Sequence, residues 1–209
     1  MKNIIIAILL LLSISYSAQI IFNPDKRANK FFTSYNDYVN DKSIEGIKLK
    51  SLGHFGTTIE LEKNGVVEKI KESKNPYAWF CNEQGVLLRV FDGTLYYVIV
   101  EGPICYYVKK EQAWAGYNVN VTLNKVEDEI YIMPTGNEPY KEYYSETING
   151  EIKVFKNSMF DEYLEKYGLK EQYEAEKLKR EMKDSVLDYK NKEWRKKIRY
   201  KKLINEKMK

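Results

Sequence analysis

Histidine is almost missing from this chain: His54 is the only one among 209 residues. Cysteine is nearly as scarce, with Cys81 and Cys105 alone. One imidazole and two distant thiols do not supply the clustered ligands of a zinc site. His54 lies in Gly53-His54-Phe55-Gly56, a loop with no local nucleophile or orienting carboxylate that would make it the base of a triad. No glycine-rich loop introduces a helix, so the phosphate cradle of nucleotide-binding folds is not legible. The densest acidic triplet, Glu127-Asp128-Glu129, reads as a solvated edge rather than a calcium loop. No metal and no cofactor is expected on these grounds. Paired carboxylates of a glycoside hydrolase leave no such trace, because the fold sets their separation.

Long apolar runs are scarce too. The longest, residues 4–12, is about half of the ~20 residues a helix needs to cross a bilayer. It follows Lys2 and precedes the small residues Ser13, Ser15, Ser17 and Ala18. That order of charge, apolar run and small residues predicts a cleavable signal peptide over residues 1–18. Cleavage after Ser17 or after Ala18 both fit. No cysteine stands nearby, so a lipid-modified thiol is not expected. The mature chain is then exported, to the periplasm, the outer surface or the medium.

What the chain has in quantity is tyrosine, 18 residues of it, with 8 Phe and 3 Trp. These are strand-favouring side chains, and tyrosine tolerates partial exposure through its hydroxyl. A Tyr-rich sheet is the plain reading; rings stacking on a sugar are the sharper one. Thr33 or Ser34 can cap a short helix through Val39, with Ser34 and Asp37 at capping-box spacing and Tyr35, Tyr38 and Val39 inward. Strands are then predicted at 44–49, 57–62, 66–70, 77–81, 86–91, 95–100, 104–108, 117–123, 129–133 and 151–155, with a weaker one at 142–147. Asn64-Gly65 and Asp92-Gly93 are hairpin turns by chemistry. Gly85 and Gly102-Pro103 punctuate the same region. Short connections imply antiparallel neighbours.

Within residues 95–100, Tyr97 and Ile99 alternate with Tyr96, Val98 and Val100. Both faces are apolar, so one should pack on helices or on the far side of a curled sheet. Cys81 and Cys105 fall about three strands apart. A disulfide there would contribute about 3 kcal/mol in the chain-entropy model, but needs the sheet to curl closed.

The last quarter changes character. Ser158 and Asp161 repeat the capping spacing, Phe160, Tyr163, Leu164 and Tyr167 make one helical face, and Gly168 is placed to end that helix. From Lys170 to Ile204 there is no Gly or Pro, and strong helix formers dominate. Leu178, Met182, Val186 and Tyr189 trace one stripe, with Leu187, Trp194 and Ile198 opposite. A second helix therefore has two contact faces or breaks near 189–191. Three regions result: the signal peptide at 1–18, a β-rich domain at 19–156, and a charged helical region at 157–209. The fold class is α+β, an antiparallel, strongly curved meander with a short N-terminal helix and C-terminal helices.

Charge is concentrated at the end. Residues 188–209 hold ten Lys or Arg against three Asp or Glu, a net of +7, whereas residues 157–187 carry a net of −2. Lys192, Arg195, Lys196, Arg199 and Lys202 recur every three or four residues, which gathers them on one side of a helix. Trp194 and Ile198 fall near that side, where they could touch a headgroup region or a partner; the alternative is that Trp194 packs into the domain and the basic side faces water. These five residues are the candidate site for an anionic surface. Outside the cytoplasm the available anions are lipid headgroups, lipopolysaccharide and acidic glycans. A protein partner also fits, and nucleic acid is the poorer match. Asp184-Ser185-Val186 has the acidic-hydroxyl-aliphatic pattern of a Bacteroidota O-glycosylation acceptor.

The stretch from Trp79 to Tyr107 carries an aromatic strand, the turn Asn82-Glu83-Gln84-Gly85, Leu88-Arg89, Gly93 leading into Tyr96-Tyr97, and Gly102-Pro103-Ile104-Cys105-Tyr106-Tyr107. It resembles small exported Bacteroidota proteins of unknown function, which have a signal ending near Ala-Gln, a meander and a charged helical tail. The resemblance implies lineage and architecture and brings no site residues with it. The expected function is a non-catalytic exported protein that binds an envelope surface, a glycan or a protein. The alternative is a small extracytoplasmic hydrolase whose carboxylates converge only in the fold.

Overall fold

The computed structural model of the chain describes residues 28–52, 58–82, 85–109, 120–124, 129–133, 141–176 and 186–209. The expected signal segment, His54, Glu127-Asp128 and Asp184-Ser185 lie outside the described residues. The architecture is α+β. Strands β1 (Phe31–Phe32), β5 (Trp79–Cys81), β6 (Leu87–Phe91), β7 (Thr94–Val100), β8 (Cys105–Lys109), β11 (Glu142–Ser145) and β12 (Lys153–Phe155) form a seven-stranded sheet in that order. Strands β2 (Ile47–Leu52), β3 (Thr58–Lys63) and β4 (Val66–Lys71) make a second sheet, and β9 (Asn120–Asn124) pairs with β10 (Glu129–Met133) in a third. The described pairings are antiparallel throughout.

The hairpin chemistry acts as expected. Asn64 and Gly65 have φ of 53° and 81°, and Asp92 and Gly93 have φ of 46° and 67°. Two successive positive φ values match the right-handed twist of the flanking strands. In the short helix α1 (Tyr35–Val39), the Ser34 side chain accepts from the Asp37 amide. Tyr38 is fully buried, but Val39 faces out, against expectation.

One face of the large sheet is a row of cross-strand partners: Phe31, Phe80, Leu88, Tyr97, Val108, Glu142 and Phe155. Directly opposed residues share a face. The β1 end of this row packs under the three-stranded sheet, through Ile47, Leu49, Ile59 and Leu61. The β12 end packs under the C-terminal helices, through Phe160, Leu164, Trp194, Ile198, Tyr200 and Ile204. The other face carries Phe32, Trp79, Leu87, Tyr96, Val98 and Tyr107, covered by Tyr38 of α1 and by Ile152.

Two expectations are corrected here. No sheet is closed or strongly curled. The two-faced apolar strands are instead satisfied from outside, by separate elements on each face, so curling is not needed to bury them. A bulge between Val98 and Val100 also shifts the β7–β8 register. Val100 stands opposite Tyr106 and joins the core under the helices, while Val98 stays opposite Tyr107 on the other face. An extra residue in one strand inverts the alternation beyond it.

Cys81 and Cys105 are buried and not joined in a disulfide. Strands β6 and β7 lie between them, a separation of about 14 Å at the usual strand spacing, beyond any disulfide.

The helical quarter divides into α2 (Asn157–Lys166), α3 (Lys170–Ala175) and α4 (Val186–Lys207). Ser158 does not cap α2: the cap position is Lys156, with no side-chain hydrogen bond, and Ser158 lies within the first turn. Gly168 does end α2, at φ 66°, with the Leu169 amide returning to the Leu164 carbonyl. The long second helix of the sequence reading breaks after Ala175 rather than at 189–191. Sheet and helix side chains share one cluster, so the boundary at 156 marks a change of secondary structure and not of core.

Candidate functional site

Helix α4 is continuous over the whole candidate segment. At 100° per residue, Lys192, Arg195, Lys196, Arg199 and Lys202 span an arc of about 120°. Lys192, Arg195 and Lys202 are half-buried and Arg199 is exposed. The opposite arc holds Trp194, Ile198, Tyr200, Lys201, Ile204 and Asn205, all buried. Trp194 and Ile198 are therefore core side chains, and the expectation that they lie beside the basic face for contact with a headgroup is corrected. Helical spacing alone could not say which of two adjoining arcs faces the sheet.

Lys196 sits at the rim of the basic side and turns inward. Its Nζ donates to the Glu176 carbonyl at 2.6 Å and to the Tyr173 carbonyl, and lies 4.0 Å from the centroid of the Tyr173 ring. It thereby caps the C-terminal end of α3, where carbonyls lack intrahelical partners. Desolvation there holds its pKa below the ordinary lysine value. Arg199 pairs with the Glu176 carboxylate, which also accepts from the Tyr200 hydroxyl at 2.8 Å.

Two further lysines of α4 are structural. Lys201 has no solvent exposure and pairs with Glu142 of β11. The rings of Tyr106, Phe155 and Trp194 surround its ammonium at 4.6, 5.0 and 5.5 Å. Lys197 reaches the other Glu142 oxygen at 3.2 Å and the Asn157 side chain at 2.9 Å. Burial works to raise the Glu142 pKa, but the two lysines outweigh it and hold the carboxyl below its ordinary value. Burial likewise pushes Lys201 down. The sequence did contain a signal for Lys201: it continues the spacing of Trp194, Ile198 and Asn205 along an otherwise core-facing stripe.

A second polar cluster lies on the opposite face of the large sheet. Arg89 of β6 is 5% exposed. It donates to the Tyr107 hydroxyl at 2.9 Å and to the Gly150 carbonyl at 2.7 Å, between the rings of Trp79, Phe91 and Tyr107. Tyr107 Oη lies 2.8 Å from Ser145 Oγ. No ion pair among the described residues involves Arg89; ring faces and two neutral acceptors stabilise its charge. Nearby, Cys105 donates to the Gly102 carbonyl, and desolvation raises its pKa to about 11. It is a thiol at neutral pH, not an activated nucleophile. Sequence reading missed this cluster because its members come from strands far apart in the chain.

The fold draws carboxylates inward, Glu72 and Glu142 among them. Glu142 is taken by two lysines, and Glu101 accepts from the hydroxyls of Tyr35 and Tyr38 at 3.1 and 3.0 Å. Among the described residues no group of three His, Cys, Asp or Glu side chains could hold a metal ion, and no helix is long and apolar enough to cross a membrane. No protein-family model, no curated protein and no solved structure matches this chain.

Proposed function

We propose that this is a non-catalytic exported protein that attaches to an anionic envelope surface through the outward side of α4. One observation carries the reading: Lys196, Lys197 and Lys201 turn inward to the fold, whereas Lys192, Arg195, Lys202 and Arg199, the last paired with Glu176, line the side away from the core. A helix fixed by its buried side presents such a row without further ordering cost. Near an anionic lipid surface each basic residue contributes about 1 kcal/mol, within a Debye length of ~8 Å at physiological salt. The hydrolase alternative would draw on inward carboxylates, but Glu142 is paired with two lysines and Glu101 accepts from two tyrosine hydroxyls.

The test is sedimentation with phosphatidylglycerol-containing and pure phosphatidylcholine vesicles, at low and high salt. The intact protein should bind the anionic vesicles at low salt and leave them at high salt. A variant carrying Lys192→Glu, Arg195→Glu, Arg199→Glu and Lys202→Glu, with near-ultraviolet circular dichroism unchanged, should not bind. Absence of binding by the intact protein, equal binding by the variant, or preference for an acidic polysaccharide over vesicles each overturns the reading. The export half is checked separately: natively exported protein should begin at Ala18 or Gln19 by mass spectrometry, and an intact Met1 would refute it.

A further inference from the structure

Helix α3 ends with a carboxylate in an unfavourable place. Glu176 is the residue at the C-terminal cap of α3, with φ −79° and ψ 51°. Unpaired carbonyls give that end of a helix a partial negative charge, so an acidic side chain is repelled there. What holds it comes from α4. The Arg199 guanidinium pairs with one carboxylate oxygen. The Tyr200 hydroxyl donates to the other at 2.8 Å. The Lys196 ammonium binds the backbone carbonyl of the same residue. The Arg199 side chain is 57% exposed and that of Glu176 36%, so the contact is open to water and to outside anions. Tyr200 is fully buried with Glu176 over its hydroxyl.

The guanidinium and the phenol meet on the two oxygens of one carboxylate, which makes them donors for a single oxyanion. We propose that Arg199 and Tyr200 form a seat for an oxyanion, that the Glu176 carboxylate is its resident occupant, and that a lipid headgroup phosphate binds by displacing it. The inference rests on the anionic-surface reading above and adds two things to it: the group recognised, and a built-in competitor. A headgroup phosphodiester presents two anionic oxygens, as the carboxylate does, but carries no helix end with it. The exposed pair it breaks is a weak one. Glu176 thus sets a threshold of anionic charge below which α4 stays unattached.

The experiment compares the wild type, Glu176→Gln, Arg199→Gln and the double variant on vesicles of graded phosphatidylglycerol content at low salt. Glutamine keeps the size and an acceptor for Tyr200 but not the charge. Glu176→Gln should tighten binding about two- to five-fold, the range set by an exposed ion pair, and shift half-saturation to a lower anionic fraction. In the Arg199→Gln background the same substitution should give no gain. Binding by the wild type that Glu176→Gln leaves unchanged would overturn the seat and leave the surface reading standing. An equal gain in the Arg199→Gln background would reduce the effect to net charge and also overturn it. No binding by the wild type or by Glu176→Gln overturns both.

Discussion

Asn205, four residues from the end of the chain, takes both backbone hydrogen-bonding groups of Ile104. Its Oδ1 accepts from the Ile104 amide at 3.0 Å and its Nδ2 donates to the Ile104 carbonyl at 2.7 Å. The carboxamide completes the β7–β8 connection as a neighbouring strand would. A Cβ on Gly102 would lie 2.4 Å from the Asn205 amide nitrogen, so the turn and the helix close on each other. The charged tail is thus part of the fold. Truncation at Tyr189 would remove Trp194, Ile198, Tyr200 and Ile204 from the core, and would test folding rather than binding.

Asn205→Ala should leave a buried donor and acceptor unpaired, at a cost of about 1–3 kcal/mol for each group. Gly102→Ala should destabilise by about 1–3 kcal/mol through overpacking. Because the two residues touch, urea melts of the double variant should show less than the sum. Strict additivity would mean that the contact does not govern the turn.

The Glu142–Lys201 pair should behave as a buried pair does. Glu142→Gln strands the Lys201 ammonium and should cost about 3–5 kcal/mol. Replacing Glu142 and Lys201 together by leucine should cost far less, or stabilise. The acid limb adds an independent check. The folded Glu142 pKa is depressed from its ordinary 4.5, so its contribution is complete above that value and declines as pH falls through the depressed one. Unfolding free energies measured from pH 6 to pH 2 should therefore fall less steeply for Glu142→Gln than for the wild type. Parallel curves would contradict the assignment.

Tyr106 is fully buried and its hydroxyl finds no hydrogen-bond partner among the described residues. The ring itself is well placed, edge-on to Phe155 with centroids 5.1 Å apart. Removing only the hydroxyl should relieve an unsatisfied group, so Tyr106→Phe should raise stability by about 1 kcal/mol. A destabilised variant in thermal melts would reveal a partner for that oxygen.

Much of the fold was legible because it is written locally. Asn64-Gly65 and Asp92-Gly93 fixed two hairpins, and alternation located the described strands other than β1 to within a few residues. Three features were not legible, each for a physical reason. The bulge at Val98–Val100 is a matter of register between strands, with no residue type that demands it. The break of the last helix after Ala175 falls in a run of good helix formers and is held by the Lys196 cap from another segment. The division of the basic residues into inward and outward sets follows from which arc of α4 meets the sheet. The five candidate cations were found by spacing, yet the same spacing includes Lys196, which tertiary contact turns inward. The Arg89 cluster, assembled from β6, β8, β11 and the turn at Gly150, left no mark in any single stretch of chain.

The strand order has one more consequence. β8 and β11 are hydrogen-bonded neighbours, with Val108 opposite Glu142, although the chain makes a long excursion between them that includes the β9–β10 pair. The excursion leaves and re-enters the large sheet at adjacent points. It is an insertion in the topological sense: a short reverse turn joining Lys109 to Lys141 would convert β8 and β11 into an ordinary hairpin and leave the other neighbours within the large sheet unchanged, with the loss of the β9–β10 pair and of its contacts with β7 and α4. The junction is thus a natural splice point, where a foreign loop or a reporter domain could replace the excursion without re-threading the sheet.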